Sequence, residues 1–221
     1  MPHLTGLDGL RGLALAGVLL FHADGALTGG YLGVDLFFVL SGYLITALLL
    51  KERKDTGRID LRAFWVRRFR RLMPALLALM PAIALYARFC AQPEDQLTLR
   101  NEAIASLGYF ANWYSIFADR SYWQLFAAPS PLEHTWSLSI EEQFYLVWPL
   151  LTMLVLARFK PRAVLVLSLA LALGSVAAML LIFSEGNSSR AYLGTDTRMA
   201  AILFGAAFAV VLPPGTELSP A

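Results

Sequence analysis

The chain has 221 residues, 57% of them hydrophobic and only 15% charged, against about a quarter charged in a soluble globular domain. That is a membrane composition, and the single cysteine, Cys90, excludes an internal disulfide and any cysteine-built metal site. The net charge of +2 conceals a basic block at 51–71, where nine basic and three acidic side chains give +6 and leave −4 for the rest.

In chain order, residues 4–23 read as a first membrane helix of marginal length, with Asp8 and Arg11 one turn apart at its start. Arg11 and His22 are eleven residues apart. On an α-helix they fall within about 20° of one face, with a rise of about 16 Å. This predicts a guanidinium near a membrane face and an imidazole near mid-depth, bracketing something long. Ionisable groups inside a span are expensive unless they have a partner or a wet cavity, so they mark function. A cleaved signal peptide fits less well, because His22 caps the apolar run and a second run follows within ten residues.

Residues 24–30 form a glycine-rich reversal. A second helix follows at 31–50, charged only at Asp35, whose carboxylate suits the N-terminal end of a helix. Phe37, Phe38, Ser41 and Gly42 are assigned to helix packing. The basic block then reads as a cytoplasmic loop by the positive-inside rule, which also makes the N-terminus cytoplasmic. Residues 72–90 form a third span, with Pro74 in its first turn and Pro81 as a kink.

The stretch 97–118 is apolar and aromatic but carries Arg100, Asn101 and Glu102. As a full span it would move the basic loop 158–162 outside, so it is expected to be re-entrant or interfacial. An inward helix at 143–156, a clean span at 163–184, an external loop at 185–196 and a last helix at 198–212 complete the reading. The expected fold is all-α: a polytopic transmembrane helical bundle of about six spans plus the re-entrant segment.

Chemistry concentrates at three places. A buried histidine favours its uncharged form, which suits a general base or an acyl acceptor at His22. Asp35 is a candidate to orient or charge-stabilise it across the hairpin. Among Arg67, Arg68, Arg70 and Arg71, anchoring on anionic lipid accounts for most. Arg68 and Arg71, one turn apart, also make a fork suited to a ligand with several phosphates. Glu141 and Glu142 open a membrane helix and point about 100° apart, so at most one squarely faces a given ligand. Helix capping explains one of them and not both. Pro149 removes the donor to the carbonyl of Tyr145 and leaves a free acceptor. No HExxH spacing or glycine-rich nucleotide loop is present, so no metal site is expected.

Five blocks occur in order: LDGLRGLALAGVLLFHA, GVDLFFVLSGYLIT, RRFRRLMPA, HTWSLSIEEQFYLVWPL and GTDTRMAAILFG. Together they resemble the acyltransferase 3 family of bacterial multi-pass membrane O-acyltransferases, as one domain over 1–221. The resemblance implies transfer of an acyl group, usually acetyl, from acyl-CoA to a hydroxyl of an extracytoplasmic glycan or lipid-linked saccharide. It implies catalytic roles for Arg11, His22, Glu141 and Glu142, and acyl-CoA binding at Arg11, Arg68 and Arg71. Acyl-CoA is then a donor substrate rather than a tightly bound cofactor. The expected setting is the bacterial inner membrane, with the lipid bilayer as partner and no nucleic acid. Such domains carry more spans than this chain supplies, so a truncated copy lacking the C-terminal spans, or an inactive remnant, is a further expectation. The rival is a small-solute transporter, since intramembrane Arg, His and Glu also line substrate pathways. The paired halves common in transporters are not visible here.

Overall fold

The computed structural model describes residues 5–23, 27–118, 130–183 and 188–214, and among these it is all-helical with no strand. The helices are α1 (Thr5–His22), α2 (Leu32–Thr56), α3 (Leu61–Phe89), α4 (Gln96–Leu107), α5 (Ala111–Phe117), α6 (Thr135–Arg158), α7 (Arg162–Ile182), α8 (Ser188–Leu193) and α9 (Thr195–Val211), with a 3-10 turn at Pro93–Asp95. Five helical stretches are long and apolar enough to cross a membrane: α2, α3, α6, α7 and the α8–α9 stretch Ser188–Val211. The chain is thus a polytopic all-α membrane protein. At 18 residues, α1 is about 27 Å long, slightly short of the ~30 Å hydrocarbon core. Residues 24–26 of the expected reversal, 119–129 of the external stretch and 184–187 of the loop before α8 lie outside the described residues.

Three boundaries differ from expectation. The helix expected at 143–156 starts at Thr135, so Glu141 and Glu142 lie inside it and do not open it. The basic stretch is not all loop: α2 runs on to Thr56, and α3 begins at Leu61 rather than at 72. Asp60 starts α3 as its N-cap, accepting from the Ala63 amide at 2.9 Å, which satisfies an otherwise orphaned donor. The loop expected at 185–196 is also partly helical. It contains α8, and α9 opens at Thr195. Between them, a Cβ on Gly194 would collide with Arg190, whose guanidinium grips Asp196 through two bonds of 2.9 and 2.8 Å.

The helices fall into two compact units. The first comprises Met1–Ile59, Leu151–Ser175 and Met199–Ala221. In it α1 folds back on α2, and Gly33 permits the approach: a Cβ there would strike the Ala14 carbonyl. α2 and α9 cross through a reciprocal glycine contact, with Gly42 against the Ile202 carbonyl and Gly205 against that of Val39. Around the crossing, Phe38, Ile45, Leu49, Ile202 and Ala206 are buried. Arg53 Nη2 donates to the Leu156 carbonyl at 3.3 Å, so the C-terminal ends of α2 and α6 lie at the same level.

The second unit comprises Asp60–Leu150 and Val176–Arg198. Here α3 and α6 are joined by a bond from Trp65 Nε1 to the Tyr145 carbonyl at 3.0 Å. That is the acceptor which Pro149 leaves without its helical donor. α4 and α5 contain 12 and 7 residues, each well short of the ~20 needed to cross, as a re-entrant or interfacial segment requires. Tyr109 turns the chain between them at a positive φ of 56°. A closed polar network holds this turn. Gln143 Nε2 donates to the Tyr109 carbonyl (2.8 Å) and to Asn112 Oδ1 (3.0 Å), and Asn112 Nδ2 donates to Thr195 Oγ1 (2.9 Å) and the Leu193 carbonyl (3.0 Å).

Candidate active site

In the first unit, Arg11 and His22 share one uninterrupted helix, which keeps them on a common face. Arg11 is half-buried and pairs loosely with Asp8 at 3.8 Å across one turn. A partly exposed pair of this kind contributes little, so the guanidinium remains available to an anion. The imidazole sits elsewhere than expected: His22 is the last residue of α1 and exposed, at the helix end rather than at mid-depth. Its ring folds back along the helix, with Nδ1 2.8 Å from the Val18 carbonyl. A carbonyl can only accept, so Nδ1 carries the hydrogen, and in the neutral ring Nε2 is the basic nitrogen. Asp35 is half-buried in the first turn of α2. The contact of Gly33 with Ala14 and Val18 sets its level between Arg11 and His22, about 12 Å along the axis from the latter.

In the second unit, the guanidinium of Arg68 lies over the ring of Tyr145, 3.9 Å from its centroid. The Tyr145 hydroxyl donates to Glu141 Oε2 at 3.1 Å, one turn back on α6. Glu141 is thereby engaged. Glu142 is half-buried and points elsewhere, with Oε1 shielded from solvent and without a hydrogen-bond partner. Arg68 Nε is likewise shielded and without one. Burial lifts the Tyr109 phenol above its ordinary pKa, the Glu142 carboxylate lifts it further and Arg68 lowers it. The three groups are thus within electrostatic reach of one another. Glu142 offers an acceptor and Arg68 a donor, each costly to leave unpaired in an apolar setting. A ligand presenting a hydroxyl to one and an oxygen to the other satisfies both.

The two arginines of the expected fork differ in surroundings. Tyr145 lies thirteen residues before Arg158, the end of α6, or about 20 Å along its axis. Arg68 is half-buried against the middle of α6, while Arg71 is exposed on α3. Tyr109, Trp65 and Gln143 were missed from sequence. The acceptor freed by Pro149 was visible there, but nothing named its donor. Among the described residues, no group of three or more His, Cys, Asp or Glu side chains could hold a metal ion.

A polytopic helical membrane protein with guanidinium and carboxylate groups on its candidate spans is the class that fold and site define. Its family is shown by comparison: the model described as an acyltransferase domain, that of the acyltransferase 3 family, matches residues 4–217, and the chain belongs to that family. O-acetyltransferase OatA from Staphylococcus aureus strains NCTC 8325 / PS 47 and MRSA252 is 45% identical over 214 residues, which is 96% of this chain and 35% of the relative. The putative O-acetyltransferase SACOL0978 from S. aureus strain COL is 42% identical over 217 residues, 97% of this chain and 36% of the relative. The chain thus spans about a third of the length of the curated relatives it matches. No solved structure matches it.

Proposed function

We propose that the chain forms the acyl-transferring membrane domain of an O-acyltransferase. It moves an acyl group, acetyl by the names of its relatives, from acyl-CoA to a hydroxyl of an extracytoplasmic glycan or lipid-linked saccharide. The observation that carries this reading is that Arg68 Nε, beside the Tyr145 ring, and Glu142 Oε1 are each shielded and without a hydrogen-bond partner. In direct transfer, the acceptor hydroxyl gives its proton to a base as its oxygen attacks the thioester carbonyl. The C–S bond then breaks and the CoA sulfur leaves. A guanidinium donor suits the developing oxyanion, and a carboxylate or a neutral imidazole suits the proton.

In the first unit, His22 Nε2 is a second candidate base. It deprotonates the acceptor or takes the acyl group itself, with Asp35 setting the charge along its helix. Arg11 in the first unit, and Arg71 exposed on α3 in the second, are each a candidate cation for the donor's phosphates. By the positive-inside rule the ends of α2 and α6 face the cytoplasm of a bacterial inner membrane, and so does the N-terminus. The two routes differ kinetically, because an acyl-histidine intermediate gives ping-pong behaviour. Membranes bearing the chain are incubated with labelled acetyl-CoA and a glycan acceptor: label on the glycan supports the reading. Solute flux without transfer overturns it in favour of a transporter.

A further inference from the structure

In the first unit, the last turns of α2 and α9 and the end of α6 enclose a cavity of about 610 Å³. That volume is in the range of small-molecule sites. Ala47, Leu50, Leu156 and Ala209 contribute an apolar wall, and Lys51, Arg53, Lys54 and Asp55 form a rim of net positive charge.

Most of the rim's hydrogen-bonding capacity is used within the protein. Lys51 pairs with Asp55, and Arg53 donates to the carbonyls of Gly57 and Leu156. Lys54 has no such partner among the described residues. One available ammonium above an apolar chamber matches a ligand with one anionic group and a hydrocarbon body. A bare phosphate would leave the apolar wall against water, and a polyphosphate would meet too few free cations.

We propose that this cavity binds an anionic phospholipid, with the phosphodiester at Lys54 and the first methylenes against Leu50, Leu156 and Ala209. The setting agrees: a basic rim at the ends of membrane helices belongs in the leaflet richest in anionic lipid. The inference is independent of the acyl-transfer reading.

The test uses the whole chain in nanodiscs of phosphatidylcholine with a minority of phosphatidylglycerol, and native mass spectrometry of the lipid retained on release. The expected result is selective retention of phosphatidylglycerol. Lys54→Glu, at an exposed position that folding does not depend on, is expected to lower retention at least about fivefold. Leu50→Trp, which puts a bulky ring into the apolar wall, is expected to lower it as well. Arg62→Glu makes the same charge change at an exposed residue that does not line the cavity, and is expected to leave retention unaltered. Equal losses in Lys54→Glu and Arg62→Glu, or no loss in Lys54→Glu, would show diffuse attraction and overturn the site. Displacement of the lipid by inorganic phosphate, or by adenosine 3′,5′-bisphosphate, would assign the cavity to a soluble phosphate compound and equally overturn the proposal.

Discussion

The bond between Trp65 and the Tyr145 carbonyl permits a test of how α3 is fixed against α6. Pro149 cannot donate to Tyr145, so the indole N–H at 3.0 Å replaces the missing helical donor. Trp65→Phe keeps an aromatic ring but removes that donor, leaving a buried carbonyl unsatisfied. Such orphans cost about 1–3 kcal/mol, while hydrogen bonds between membrane helices average about 0.6 kcal/mol because the unfolded state also finds partners. Tyr145 is only 3% exposed, so rescue by water is limited and a loss of about 1–1.5 kcal/mol is expected. The discriminating arm is Pro149→Ala, which restores a backbone N–H to the same carbonyl. Trp65→Phe is then expected to cost about 1 kcal/mol less in the Pro149→Ala background than in the native one. Denaturant unfolding in detergent micelles, arranged as a double-mutant cycle, measures the difference. An equal cost in both backgrounds would refute the reasoning.

Further outcomes follow from the same geometry. Glu142→Gln keeps the shape and removes the base, and is expected to lower kcat for acetyl transfer about 100-fold or more with little change in donor KM. The same substitution removes a charge that raises the Tyr109 phenol. That phenol should titrate lower than in the native chain yet above an ordinary tyrosine, because burial persists; NMR of ring-labelled tyrosine reads this directly. Tyr109→Gly relieves a positive φ and is expected to stabilise the fold by about 1 kcal/mol while reducing transfer. Gly205→Val drives a side chain into the Val39 carbonyl and should destabilise by about 1–3 kcal/mol; unchanged unfolding would contradict the α2–α9 crossing.

The spans were legible because apolar runs of membrane length are self-announcing: α7 falls where its hydropathy puts it, while α2 and α6 contain the expected runs but extend into their polar flanks, to Thr56 and back to Thr135. The start of α3 was not, because residues 61–71 are too charged to register as a span. The cap at Asp60 was the local signal for it. The charge of Arg68 suggests a membrane-face anchor, whereas the structure lays its guanidinium over the Tyr145 ring, far along the chain. No local pattern encodes such a contact. The motif glutamates were visible as a pair, but which of them is engaged depends on a tyrosine one turn on. The bonds of Asn112 and Gln143 to Thr195 and Tyr109 join segments distant in the chain. Their residue types carry no signature of it.

The proposed chemistry rests most heavily on His22 as a reacting group rather than a helix terminus. The direct measurement is acetyl transfer in proteoliposomes supplied with labelled acetyl-CoA, comparing the native chain with His22→Ala. The prediction is a loss of transfer of about 1,000-fold with the helical content and unfolding midpoint unaltered. A His22→Ala chain that folds normally and transfers acetyl at the native rate contradicts it.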